Sequence, residues 1–405
     1  MATNQQQIVP GQFYGLPGFD NPTHQEENNS GVSTTLSQQN AATVTGLVPF
    51  TDSDVVEGWD MEVTVTPTYT PSTGSITVSP YGPYSYVQAM KLQVQKAYSL
   101  LDVPSGLDAM LFHRIHPARK TSSRNALLSA PQTLTAMPST GIEANLNALT
   151  GAFSDTDSSV PFTIPLDAGI ELDAYFDLDV NGNVLSAPHR RFVSPQYMAS
   201  SRNITPSIQF GALLADTNDN GAATGTSPAT ASGSATLNFF RRSIYGSSNL
   251  AVLPPVANWQ LQRQAEQVAI GAQSSVKIPL TNINGQILCV YVRLFDPNGG
   301  VGAPIPIANL SECDLKFGSG LFRYQDTPRS MQRRIFEQHN TLLPKGVVAW
   351  DLLTDKSGRR VNGDNILNTY TTGGVYINLK FGTVPSSEAY AVVGVEYLTF
   401  VQAGV

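Results

Sequence analysis

Two histidines three residues apart, His113 and His116 in FHRIHPARK, have a spacing that suits two metal ligands on one helix face. Pro117 interrupts any helix there. Arg114, Arg119 and Lys120 surround the pair with positive charge that repels a cation, so the segment reads as a basic loop. Two other segments imitate the start of a calcium loop: Asp177, Asp179, Asn181 and Gly182, then Asp216, Asn218, Asn220 and Gly221. Such a loop needs a bidentate glutamate at its twelfth position, and those positions hold Pro188 and Ser227. Asn181-Gly182 between Leu178 and Val184 is also a hairpin turn signal. Calcium near Asp177 or Asp216 stays open as the lesser alternative. Asp155 and Asp157 lie in the polar stretch FSDTDSSV, where nothing points to a raised carboxyl pKa. A glycosidase-type acid–base pair would have to assemble in space rather than along the chain.

No GxSxG, HExxH, phosphate-cradling glycine loop or CxxC pair occurs. The expectation is therefore a protein that is not an enzyme, with no catalytic residue, no cofactor or cofactor-binding residue and no metal ligand. Four arginine pairs recur: Arg190 and Arg191, Arg241 and Arg242, Arg333 and Arg334, Arg359 and Arg360. They read as solvated loop or strand-edge charge. The alternative is pairing with carboxylates of a neighbouring subunit, for which the guanidinium fork is well shaped.

Charge distribution narrows the partners. Net charge is −7, and residues 1–90 hold eight acidic residues and no Lys or Arg, the first being Lys91. An arm that neutralised nucleic acid would need clustered cations, so no direct nucleic-acid binding is expected. The absence of a basic residue before Lys91 also gives no secretory signal pattern. Charged residues are 14% of the chain, against about 25% in an average soluble domain. A weakly charged surface rich in Gly and Pro turns points to strands, and to a surface covered by other copies. Cys289 sits in the apolar run QILCVYVRLF and reads as a buried free thiol; with Cys313 it makes too few cysteines for a disulfide scaffold. This favours folding in a reducing cytosol.

Positioning elements follow from periodicity. Thr327 can cap a helix that starts at Pro328, with Met331, Ile335 and Phe336 as its apolar face and Asn340 and Pro344 at its end. After Gly346 the period becomes two: Val375, Ile377, Leu379 and Phe381 face one way, Tyr376, Asn378 and Lys380 the other. Strands are expected at 61–66, 87–101, 108–115, 161–165, 170–179, 206–214 and 234–245. A second set falls at 266–280, 286–295, 346–353, 365–371, 374–381 and 389–400. The run DTNDNGAATGTSPATASGSA at 216–235 reads as a long loop. A boundary is expected near Gly246–Leu253, giving an irregular arm at 1–45, a first unit at 46–249 and a second at 250–405. Phe13, Tyr14, Leu16 and Phe19 suit an arm that orders against neighbours.

The block QRRIFEQH, LPKGVVAWDL, GGVYINLKF and VVGVEYLTFVQAG, together with CVYVRLFDPNGG, resembles the double jelly-roll major capsid proteins of tailless icosahedral phages with an internal membrane, the tectivirus-like group. The resemblance is strongest in the second half. It implies an all-β fold of two consecutive eight-stranded jelly-roll sandwiches with short helices in loops. It also implies a homotrimer acting as a pseudo-hexameric capsomer in an icosahedral virion shell, made in the host cytoplasm. Implied partners are neighbouring capsomers, minor capsid or vertex proteins and an internal viral membrane. Family members often begin with a polar helix beneath the shell, which Pro10, Pro17 and Pro22 forbid here. The competing reading is an adhesive or carbohydrate-binding β-sandwich, which would need aromatic residues clustered on an exposed face. Only Trp59, Trp259 and Trp350 are available, widely spaced.

Overall fold

The computed structural model describes residues 19–37, 42–45, 48–49, 55–71, 76–78, 86–94, 98–106, 108, 111–112, 152–153, 162–166, 203–213, 223–225, 229–247, 259–299, 304–339, 343, 346–352, 367–369 and 373–400. Its strands, in chain order, are β1 (Phe19–Ser37), β2 (Ala42–Thr45), β3 (Val48–Pro49), β4 (Val55–Pro71), β5 (Ile76–Val78), β6 (Val87–Val94) and β7 (Tyr98–Val103). There follow β8 (Ala152–Phe153), β9 (Phe162–Leu166), β10 (Asn203–Phe210), β11 (Ala223–Gly225) and β12 (Ala229–Ser247). The second half supplies β13 (Trp259–Ala269), β14 (Ser275–Pro279), β15 (Gln286–Phe295), β16 (Leu310–Phe317) and β17 (Leu321–Asp326). Helix α1 (Pro328–His339) precedes β18 (Val347–Asp351), β19 (Leu367–Asn368), β20 (Val375–Phe381) and β21 (Tyr390–Phe400).

In the second half the chain alternates between two sheets. Strands β13, β15, β18 and β21 lie in one, in the order β18-β15-β21-β13, and β14-β20-β16-β17 form the other. That back-and-forth path is jelly-roll connectivity. The first half repeats the plan, with β1-β12-β4-β9 in one sheet and β7-β6-β10-β2 in a second. The parallel pairing of β7 with β13, at Leu101↔Arg263 and Asp102↔Gln264, joins the two halves into one ten-stranded sheet.

Period-two residues explain the second core. In β20, Val375, Ile377, Leu379 and Phe381 are buried while Lys380 is exposed, and β14 buries Val276 and Ile278 between exposed neighbours. Across from them stand alternate residues of β15, β18 and β21, including Val290, Val292, Trp350 and Val393, all buried. Strand β15 is buried on both faces from Ile287 to Phe295, and β18 along its whole length. A strand wet on one side would not read QILCVYVRLF.

The helix begins as expected. The backbone N–H of Ser330 donates to Thr327 Oγ1 at 3.2 Å, and Thr327 N–H donates back to Ser330 Oγ at 2.9 Å. Its inner face differs from the expected one. Met331 and Ile335 are buried with Arg334 and Gln338, whereas Phe336 is 48% exposed. Residues 331, 334, 335 and 338 follow the helical period, and Phe336 lies off that stripe.

Five further expectations need correction. Strands β1 and β2 occupy much of the arm read as irregular at 1–45. The stretch PTHQEENNSGVSTT has no apolar alternation to betray β1, which is held by its antiparallel register with β12, Thr23↔Tyr245 through Ser37↔Ser232. The loop expected at 216–235 is corrected as well, since β11, paired with β5, and the start of β12 lie there. Between 108 and 115 the described residues Asp108, Leu111 and Phe112 are helical rather than extended, and all three are buried at helical spacing. The single strands read at 87–101 and 266–280 are each two: the first is the antiparallel pair β6 and β7, and the second is divided by a turn containing Gly271 at φ 58. The strand expected at 170–179 lies outside the described residues.

Candidate functional site

The outward face of the β13–β21–β15–β18 sheet, away from the second sandwich core, carries polar side chains that are nevertheless buried. Register places them in rows. Asp351, Cys289, Glu396 and Arg263 are successive cross-strand neighbours, and the next row runs Ala349, Tyr291, Gly394 and Ala265. Arg293 stands one step further along, opposite Val392.

The helical segment after β7 docks on this face. Asp108 receives the Arg293 guanidinium as a fork, with Nε donating to Oδ1 at 2.6 Å and Nη2 to Oδ2 at 2.8 Å. Tyr291 OH donates to the same Oδ1 at 3.0 Å. Phe112 sets its edge against the Tyr291 ring, with centroids 5.0 Å apart and planes at 72°. Arg293 also covers the Phe295 ring at 4.6 Å, and Phe295 stacks on Tyr390. Asp108, Tyr291 and Arg293 are at most 1% exposed. A second buried pair completes the seam: Arg263 Nε donates to Glu396 Oε2 at 2.7 Å.

The electrostatics suit structure rather than nucleophilic chemistry. Burial, and then the Asp108 carboxylate, push the Tyr291 phenol well above its ordinary pKa against the opposing pull of Arg293, so it remains a donor. Burial, followed by Glu396 and Asp351, raises the Cys289 thiol well above its usual value. A reactive thiol needs the opposite shift. Both Cys289 and Cys313 are buried and free, as the apolar context of Cys289 led us to expect. No group of three or more His, Cys, Asp or Glu among the described residues could hold a metal ion.

The arginine pairs resolve in part. Arg334 is buried against Asp326, with Nη1 donating to Oδ1 at 2.8 Å, and lies over the Tyr324 ring at 4.0 Å. Arg333 bonds Glu337 one turn away at 2.7 Å. Both carboxylates belong to the same chain, and the burial of Arg334 on a helix corrects the reading of solvated loop or strand-edge charge for that residue. Arg241 and Arg242 stand opposite Glu27 and Glu26 in the β1–β12 register. Arg190, Arg191, Arg359 and Arg360 lie outside the described residues, as do His113, His116, Asp155, Asp157, Asp177, Asp179, Asn181, Gly182, Asp216, Asn218, Asn220 and Gly221. Trp350 is fully buried and so is withdrawn from any exposed aromatic face.

Asp108, Arg293, Arg263 and Glu396 were missed from the sequence because their partners are far apart along the chain. A signal was present. Arg293 interrupts QILCVYVRLF and Glu396 interrupts VVGVEYLTF, and a charge inside an apolar strand requires a buried partner.

No protein-family model matches the chain, and no curated protein matches it in sequence. Solved structures do match in fold. The crystal structure of the major capsid protein of Sulfolobus turreted icosahedral virus is 15% identical, with 93% of this chain and 96% of that one covered at a TM-score of 0.54. A chain in the atomic structure of the same virus is 13% identical, with 92% and 90% covered at a TM-score of 0.51. The chain also matches the major capsid protein P2 of bacteriophage PM2 at 10% identity, with 92% and 98% covered and a TM-score of 0.45. Two jelly rolls in succession, with the jelly-roll path visible in each half and the likeness running through nearly the whole chain, give this protein the fold of the double jelly-roll major capsid proteins.

Proposed function

We propose that this protein is the major capsid protein of an icosahedral virus, a structural subunit that acts by assembling with copies of itself. One observation carries the reading: both halves follow a jelly-roll path, and the match to the turreted-virus capsid protein spans nearly all of both chains. The seam supports it, since its ionisable groups serve packing and its thiol and phenol are held protonated. The rolls are taken to meet near residue 250, with 46–249 in the first and 250–405 in the second.

In this reading three chains make one pseudo-hexameric capsomer, six rolls giving a near-hexagonal outline from three copies. Neighbouring capsomers, minor or vertex proteins and an internal membrane are the partners, and the finished protein resides in the virion. Sedimentation of the purified protein tests the first step. A stable species near three times 43.4 kDa is expected, and a clean monomer at micromolar concentration contradicts it.

A further inference from the structure

In the β14–β20–β16–β17 sheet, Cys313 and Leu315 of β16 and Ile377 and Leu379 of β20 fill the inner side, which leaves the alternate residues on the outward face. Asp314 is one of these and is nevertheless fully buried. Two groups meet its Oδ2: Asn378 Nδ2 donates to it at 3.4 Å, and Lys316 Nζ stands 3.5 Å away. Its Oδ1 accepts the Asp326 N–H at 3.3 Å, which fixes the carboxylate in place. We propose that Lys316, Asp314 and Asn378 form a self-modification site, where the lysine amine displaces the asparagine amide nitrogen and ties β16 to β20 by an isopeptide bond. The inference holds whether or not the chain builds a shell.

Register brings the reacting groups together. Asp314 stands directly opposite Asn378 and Lys316 opposite Tyr376, so Lys316 and Asn378 are diagonal neighbours on one face, a separation that long side chains span. The Lys316 side chain is only 18% exposed, which withdraws its amine from bulk water. The amide turns its nitrogen, the leaving group, toward the same carboxylate oxygen that faces the amine. That one oxygen therefore relays protons from Nζ to Nδ2. The ammonium gives a proton to Asp314, and the neutral amine attacks Asn378 Cγ to form the new C–N bond. Collapse of the adduct breaks the Cγ–Nδ2 bond as Asp314 returns the proton to Nδ2, and ammonia departs. Nζ loses its second proton through the carboxylate to that ammonia. A lysine ammonium and a carboxamide thus become a secondary amide and an ammonium ion, with no redox change and no co-reactant. Holding the groups in one place supplies the proximity the reaction needs. Lys277 also stands opposite Asn378, from β14, but its Nζ lies over the Tyr376 ring at 4.0 Å. The finished bond would restrict the unfolded chain as a disulfide does.

The test is mass spectrometry of the denatured full-length protein and of its tryptic digest. The parent is expected to be lighter than its sequence requires by one ammonia. Its digest should contain the peptide ending at Arg323 joined, through Lys316 and Asn378, to the peptide ending at Lys380. Lys316→Arg keeps a cation beside Asp314 but removes the primary amine, so it should show neither the mass deficit nor the joined peptide. Asp314→Asn removes the proton relay and should lose the joined peptide, whereas Lys277→Arg should retain it. If Asp314→Asn does not fold, the parent and Lys316→Arg decide. An asparagine followed by glycine also sheds ammonia when its side chain closes on the backbone. A deficit that maps to such a step, as at Asn298-Gly299, therefore overturns the proposal. So does a parent of full sequence mass, or a peptide joined through Lys277. Folded Asp314→Asn with the joined peptide at the parent's level overturns the relay.

Discussion

Gly394 is where the seam is tightest. It lies directly opposite Tyr291 in the β15–β21 register, and a methyl group there would overlap the tyrosine Cζ, Cε1 and hydroxyl. In Gly394→Ala the ring has to move. Overpacking a filled interior costs about 1–3 kcal/mol. Displacing the ring also breaks the Tyr291 hydroxyl's bond to the Asp108 carboxylate, and a bond to a charged acceptor contributes about 1.5–3 kcal/mol. The expected destabilisation is therefore about 2.5–6 kcal/mol, measured from urea unfolding by linear extrapolation. A double-mutant cycle isolates the cause. Truncating the ring with Tyr291→Ala opens the space, so Gly394→Ala should cost less than about 1 kcal/mol in that background. An equal loss in both backgrounds, or a loss below about 1 kcal/mol in the parent, would refute the steric account.

Two titratable features give further expectations. Asp296 is partly buried, which raises its pKa, but the Ser386 hydroxyl and the N–H groups of Ser386 and Asn298 more than offset this and hold it below the usual carboxylate value. A folded-state pKa below the unfolded value of about 3.9 contributes stability above that pH and loses it as pH falls through the folded value. Asp296→Asn should thus lower unfolding midpoints near neutrality, with the gap to the parent starting to close only as the pH falls below about 4; parallel curves would contradict this. Burial, then the Asp326 and Asp314 carboxylates, push the Cys313 thiol up to about 12, and Cys289 is also raised. At pH 8 neither should be alkylated in the folded protein, while both react in denaturant. Rapid labelling of native protein would contradict the burial.

What could be read from the sequence follows the distance over which each signal acts. The Thr327 cap and Pro328 start are local, and the helix appears where they place it. Val375 to Phe381 alternate within a single strand and needed no partner to be recognised. By contrast β1 shows no apolar alternation through PTHQEENNSGVSTT, and only its antiparallel alignment with β12 makes it a strand. Strong local patterns also mislead when two periods fit. The apolar residues around Leu111 suggested a strand, yet Ser105 and Asp108 have the spacing of a helix capping box, and Asp108 N–H bonds Ser105 O at 3.1 Å. The seam was least legible, because Asp108 with Arg293 and Arg263 with Glu396 are brought together only by tertiary folding. Their trace in the sequence is a lone charge within each apolar run.

Electron microscopy of the material formed on expression tests the capsid assignment most directly. The account predicts capsomers of near-hexagonal outline, each built from three chains with six roll-sized lobes, joined into curved sheets or closed shells. Well-dispersed single chains, or oligomers lacking the pseudo-six-fold outline at concentrations where capsid subunits should associate, would contradict it.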